Sequence, residues 1–104
     1  MSDTDVIAQC KALLAGEYGQ RFGGLILYGS VARHQDVPES DLDLLVLLDG
    51  PFNYFDELRR VIEVLYPVQL EADRLISAKP VCRADYDQGR LQLYRNAKRE
   101  GVLV

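Results

Sequence analysis

Residues 42–48 read Leu-Asp-Leu-Leu-Val-Leu-Leu, and this run limits the possible folds more than any other stretch of the chain. It is too short for an ordinary helix, and Asp49-Gly50-Pro51 closes it with a strong turn signal. A brief apolar run bounded in this way reads as a buried strand. A second run, Leu25-Ile26-Leu27-Tyr28, follows Gly23-Gly24 and reads the same way. The residues between the two runs, from Gly29 to Ser40, mix Gly, Ser, Pro and several charges. They predict a loop containing at least one helical turn.

The flanking segments supply helices to cover such strands. Val6, Ile7, Cys10, Leu13, Leu14 and Tyr18 recur at helical spacing, predicting a helix from about residue 3 to residue 21. Phe55, Leu58, Val61, Ile62 and Leu65 mark a second helix, which Pro67 is expected to end near Tyr66. Residues 68–76 alternate apolar and polar, the period of a half-exposed strand, and Lys79-Pro80 is expected to interrupt the chain after it. A last helix is expected over about residues 85–100, with Leu91, Tyr94 and Ala97 on its buried side. Gly101 would stop it, leaving Val102-Leu103-Val104 as an apolar tail. The expected order is α-β-α-β-α-β-α, an α/β (α+β) domain with one small mixed sheet flanked by helices.

At 104 residues the chain has room for one compact domain, expected to span residues 1–104. No apolar run approaches the roughly 20 residues that cross a bilayer. The opening MSDTDVIAQC lacks the basic and apolar regions of a secretory signal, so the expected compartment is the cytoplasm and no membrane partner is expected. Cys10 and Cys82 lack CxxC spacing, and His34 is the single histidine, which argues against zinc and for free thiols. The net charge of −4 argues against general nucleic-acid binding. Residues 1–78 hold six Lys/Arg against thirteen Asp/Glu, whereas residues 79–104 hold six against three. An acidic body with a basic tail suits metal binding in one part and anion or partner contact in the other.

The chemistry is concentrated in the stretch LILYGSVARHQDVPESDLDLLVLL. Gly29 lacks a Cβ, so the backbone there can approach a bulky phosphate. Ser30 is expected to begin a short helix reaching about His34, whose free N–H groups and dipole favour an anion. Arg33, one turn on, has the reach to add a charge-assisted contact to the same phosphates. Asp41 and Asp43 are two apart at the start of a strand, so both side chains project from one face. Their Cα atoms are expected about 6–7 Å apart at the usual strand rise. Paired carboxylates with phosphate oxygens make the hard-oxygen environment that Mg²⁺ prefers, and two such ions stabilise an in-line displacement.

Gly29-Ser30, ten intervening residues and then Asp41-x-Asp43 resemble the signature of the DNA polymerase β-like nucleotidyltransferase superfamily. The shortness of the chain makes it similar to the minimal nucleotidyltransferases of bacteria and archaea. The likeness extends to the closing Tyr94-Arg95-Asn96 and Arg99-Glu100-Gly101-Val102. It implies the polymerase β-like fold, with Gly29 and Ser30 on the triphosphate of ATP and Asp41 and Asp43 binding Mg²⁺, two ions being expected. It also implies a third carboxylate on a neighbouring strand, and here the sequence departs from the pattern. The matching stretch reads Val68-Gln69-Leu70, and glutamine is no base. Glu71, on the same face of the expected strand, is the choice for that catalytic and metal-binding role, with Asp73 behind it.

The resemblance further implies transfer of a nucleotidyl group to an acceptor on another protein. Minimal nucleotidyltransferases are typically paired with a helical HEPN ribonuclease, and as antitoxins attach AMP to its tyrosine. A second reading is a binding protein that neutralises its partner by occlusion, its nucleotide site weakened by Gln69. Transfer to a small molecule, the third, is disfavoured because such enzymes usually carry an extra substrate domain.

Overall fold

A computed structural model describes residues 1–35, 37 and 39–104. The parts of the expected loop at positions 36 and 38 therefore lie outside the described residues.

Helix α1 spans Asp3–Tyr18. It starts where the Ser2 hydroxyl accepts a hydrogen bond from the Asp5 amide at 3.1 Å, an N-cap that satisfies one of the first-turn donors. Its buried residues, Val6, Cys10, Leu14 and Tyr18, fall at every fourth position and so form one stripe. A short 3-10 turn at Gly19–Arg21 leads into β1, Phe22–Tyr28, which runs into the short helix α2, Gly29–Ala32. Strand β2 covers Leu42–Leu48, and α3 covers Tyr54–Glu71, capped by the Asn53 side chain accepting from the Asp56 amide at 3.1 Å. Strand β3, Ile76–Cys82, is followed by α4, Arg83–Gln88, by α5, Gln92–Glu100, and by β4, Val102–Leu103.

The sheet is mixed and four-stranded, in the order β3-β2-β1-β4. β2 pairs antiparallel with β1 and parallel with β3, and β4 lies antiparallel on the far side of β1. Strand alternation divides β2 between two layers. Leu42, Leu44, Val46 and Leu48 pack against α1 and α3, joined by Leu25 and Ala78. Leu45 and Leu47 pack with Ile26, Val81, Tyr86 and Ala97, the last two from α4 and α5. Covered on both faces and paired on both edges, β2 has to be almost wholly apolar, and this accounts for the seven-residue run.

Five expectations are corrected. Pro67 does not end the second helix, because Val61, Leu65 and Val68 continue its buried stripe across the proline. Pro67 and Glu63 are exposed, so the carbonyl that proline leaves unpaired four residues back meets solvent. The apparent strand at residues 68–76 is therefore mostly helix. Leu70 is 68% exposed, which a core-facing strand position would not be. The third strand lies later and contains Lys79-Pro80. It is an edge strand, where a residue without an N–H is tolerated. The last helix is two, divided by Gly89 in the left-handed region (φ 63°). The C-terminal tail is no loose end, since Val102 and Leu103 pair with Leu27 and Ile26 as β4.

If α3 continues through Pro67, Pro67→Ala removes an interior break from an exposed helical surface. Chemical denaturation is expected to show a gain of about 1–3 kcal/mol, the cost of proline within a helix less its effect on the unfolded chain. A loss of stability would contradict a helical Pro67.

Candidate active site

The site forms where β1 ends beside the start of β2. Tyr28 is extended (φ −140°, ψ −174°), and Gly29 then turns the chain into α2 with φ +78°. This conformation already favours glycine. The register adds a second demand, because Tyr28 lies directly opposite Asp43. A Cβ on Gly29 would collide with the Asp43 carboxylate, lying also 3.2 Å from its Cγ and 3.3 Å from its Cβ. The backbone that opens α2 thus touches the side chain expected to bind metal.

Ser30 is half-buried in the first turn of α2, where helical N–H groups have no intrahelical acceptor. The turn closes with Arg33 N donating to Gly29 O at 3.2 Å and Gln35 N donating to Ser30 O at 2.9 Å. α2 is shorter than expected and ends before His34, which is exposed with φ 57°. The Arg33 guanidinium is exposed and turned to Gln35 Oε1 at 3.3 Å and Glu100 Oε2 at 3.5 Å, tying α2 loosely to α5.

Asp41 is exposed immediately before β2, and Asp43 is half-buried within it. Leu42 between them points into the α1/α3 core, so the two carboxylates share the opposite face with Leu45 and Leu47. Burial raises the Asp43 pKa above the ordinary carboxylate value, and the neighbouring Asp41 charge raises it further. Lys79 and Arg33 act in the other direction. Beside it, the Tyr28 phenol is pushed up to about 12, first by burial and then by the Asp43 charge. Two mutually repelling carboxylates, one of them partly withdrawn from water, form a donor set that a divalent cation would relieve. The site fits Mg²⁺ bound to Asp41 and Asp43.

Glu71 does not join this group. It is the last residue of α3 and exposed, on the helical layer facing α1, where it lines a shallow surface with Gln9 and Leu13. The strand face that would have aimed it at Asp43 is not there. Asp73 is exposed in the link to β3. Gln69 acts structurally instead. Its side-chain amide accepts from Ile76 N at 2.7 Å and donates to Arg74 O at 2.9 Å, pinning the start of β3 to α3.

The true neighbour of Asp43 on β3 is Ser77, and the next row on that face places Lys79 beside Leu45. β3 carries no carboxylate at all. Among the described residues no three Asp, Glu, His or Cys side chains converge as a metal cage. Tyr28, Ser77 and Lys79 are therefore the neighbours of the carboxylate pair that the sequence did not place there. Alternation through Ile76, Ala78 and Pro80 was the signal that places Ser77 and Lys79 on the other face. Along the free edge of β3 runs a groove of about 390 Å³, its far wall formed by Tyr54, Leu58, Ile62 and Tyr66 of α3.

A glycine-serine helix start, in contact with one of two neighbouring carboxylates, is an arrangement suited to nucleotidyl chemistry. The model of the nucleotidyltransferase domain family matches residues 16–102, which span this whole site. The chain belongs to that family. It is also similar to a Methanocaldococcus jannaschii protein named "Putative protein adenylyltransferase", 32% identical over 72 residues that cover 69% of this chain and 72% of that one. As a nucleotidyltransferase domain, the chain keeps Gly29, Ser30, Asp41 and Asp43 together. The mixed sheet with helices on both faces is the architecture expected of it. Among the described residues, no helix is long and apolar enough to cross a membrane.

The raised Asp43 pKa has a consequence for stability. A carboxyl titrating higher in the fold than in the unfolded chain favours folding while neutral, and that contribution is lost as pH rises through its folded value. Metal-free Asp43→Asn protein should therefore melt a few degrees above wild type near neutral pH. The difference should vanish below about pH 4, where the unfolded carboxyl is itself protonated. A variant less stable than wild type at neutral pH would contradict this account of Asp43.

Proposed function

We propose that this nucleotidyltransferase is a Mg²⁺-dependent protein adenylyltransferase that moves AMP from ATP onto a hydroxyl of a partner protein. The observation that carries the reading is the contact between the Gly29 backbone and the Asp43 carboxylate, which joins a phosphate-binding turn to a metal-binding pair. The name of the Methanocaldococcus relative supports a protein acceptor over a small molecule. The resemblance to minimal nucleotidyltransferases supports a HEPN-type helical toxin as that partner, and an antitoxin role for this chain.

The triphosphate lies along the first turn of α2, with the Gly29 and Ser30 amides and the Ser30 hydroxyl directed at its oxygens. Bound at Asp41 and Asp43, Mg²⁺ would neutralise charge that builds on the phosphate oxygens. The acceptor oxygen bonds to the α-phosphorus as the bond to the bridging oxygen breaks. Pyrophosphate leaves, and the acceptor proton passes to solvent. Catalysis of this kind is mostly positioning and charge stabilisation, which a small rigid site can supply.

A second reading has a specific observation behind it. β3 presents Ser77 and Lys79 where a third carboxylate would be expected, so this strand offers the acceptor no carboxylate base. A chain of this kind would bind nucleotide, transfer slowly or not at all, and neutralise its partner through the complex itself.

Incubation with labelled ATP, Mg²⁺ and the helical partner separates the two. Adenylyl transfer predicts label on the partner, abolished by Asp41→Ala with Asp43→Ala. A stable complex without label would overturn the enzymatic reading and favour occlusion.

A further inference from the structure

Lys79 occupies an unusual place for a lysine. It lies on the same sheet face as Asp43, one row further along, beside Leu45 and next to the Tyr28–Asp43–Ser77 row. Below it that face is covered by Leu47, Val81, Tyr86 and Ala97, an apolar layer under α4 and α5. Lys79 is half-buried, so its ammonium keeps its hydration only by extending away from that layer. Lys79 also borders the groove between β3 and α3, one row from Asp43. The stem is long enough to cover one row of about 6–7 Å along the strand, and its charge is felt at Asp43.

The charge balance limits what else can bind. Paired divalent cations about 3.5–4 Å apart repel strongly and are held together by several shared anionic oxygens. Here β2 and its approach supply two carboxylates, β3 supplies none, and no third protein ligand stands with them among the described residues. Lys79 and Arg33 each lie near enough for their positive charge to act on Asp43. A second divalent cation would meet a lysine where a carboxylate is needed.

We propose that Lys79 supplies the second positive charge of this site, so that the chain binds ATP with one divalent cation, held by Asp41 and Asp43, and with the Lys79 ammonium on the phosphate oxygens. This rests on the nucleotide occupying the site as described above. The division of labour differs from a two-metal site in a definite way. The bound cation screens the triphosphate, and a fixed ammonium stabilises the charge that grows as the phosphorus–oxygen bond breaks. It also gives the missing carboxylate on β3 a chemical reason, because a carboxylate there would neutralise Lys79.

The test is the stoichiometry of Mn²⁺ bound to the full chain with α,β-methylene-ATP, read by electron paramagnetic resonance of free against bound ion. Wild type is expected to bind one Mn²⁺ per chain. Lys79→Met should weaken analogue affinity about tenfold, the loss of one charge-assisted contact. Lys79→Arg should restore most of the affinity and show that the fold is intact, and Lys79→Glu should admit a second Mn²⁺. Two ions in wild type, or unchanged affinity in Lys79→Met, would overturn the role of Lys79 while leaving the nucleotide site standing. Analogue binding that is absent in wild type, or undiminished in Asp41→Ala with Asp43→Ala, would overturn the site itself and this inference with it.

Discussion

The backbone of Gly29 packs so closely on the Asp43 carboxylate that no Cβ fits between them, and most of the architecture serves to hold this approach. The approach exists because Tyr28 and Asp43 are cross-strand partners, and that register is fixed by burial on both faces of β2. Leu42, Leu44, Val46 and Leu48 fill one layer while Leu45 and Leu47 fill the other. A slip of one residue would exchange the two sets and carry Asp43 into the α1/α3 core. The cost of burying an unpaired carboxylate there excludes the alternative. The same apolar run that defines the fold therefore also aims the carboxylates at the turn beside them.

What surrounds this contact explains the character of the site. Asp43 is partly withdrawn from water and faces Asp41, an arrangement unfavourable in the metal-free protein and relieved by a cation. Asp43 thus gives up some stability in its ionised form, a pattern typical of functional centres. On the β3 side, Ser77 and Lys79 replace the acidic residue that such a site would be expected to carry. β3 reaches this register because Gln69 ties its first amide to α3 and because its outer edge tolerates Pro80. The groove along that free edge is walled by α3 and bordered by Ser77 and Lys79.

Legibility in the sequence followed the range of the interaction. The placement of Gly29, Ser30, Asp41 and Asp43 was readable because each depends on its local backbone: a left-handed turn, a helix start, and two positions at the start of one strand. The strands β1 and β2 were readable because double burial leaves little room for polar residues. The misplacement of Glu71 came from trusting Pro67 as a stop. Proline costs a helix a hydrogen bond and a steric clash. Here the buried stripe of Val61, Leu65 and Val68 continues across it, while exposed Pro67 leaves the freed carbonyl to solvent. Lys79-Pro80 looked like a break because a sequence does not state which strand will be at the edge. Gly89 was a one-residue divider inside an otherwise helical pattern, and Val102-Leu103 became a strand only through pairing with β1. Those last features depend on partners far away in the chain, which no local pattern carries.

The central claim is that the Gly29–Ser30 turn and the Asp41–Asp43 pair bind one magnesium-nucleotide together. Amide chemical-shift mapping of the full chain during titration with Mg-ATP tests it most directly. Joint binding predicts that the amides of Gly29, Ser30, Asp41 and Asp43 shift first and most, with Ser77 and Lys79 following, and that ATP with chelator gives a much weaker response. Shifts confined to the α3 side of the β3 groove or to the basic surface of α5, with the Gly29–Ser30 turn silent, would contradict it.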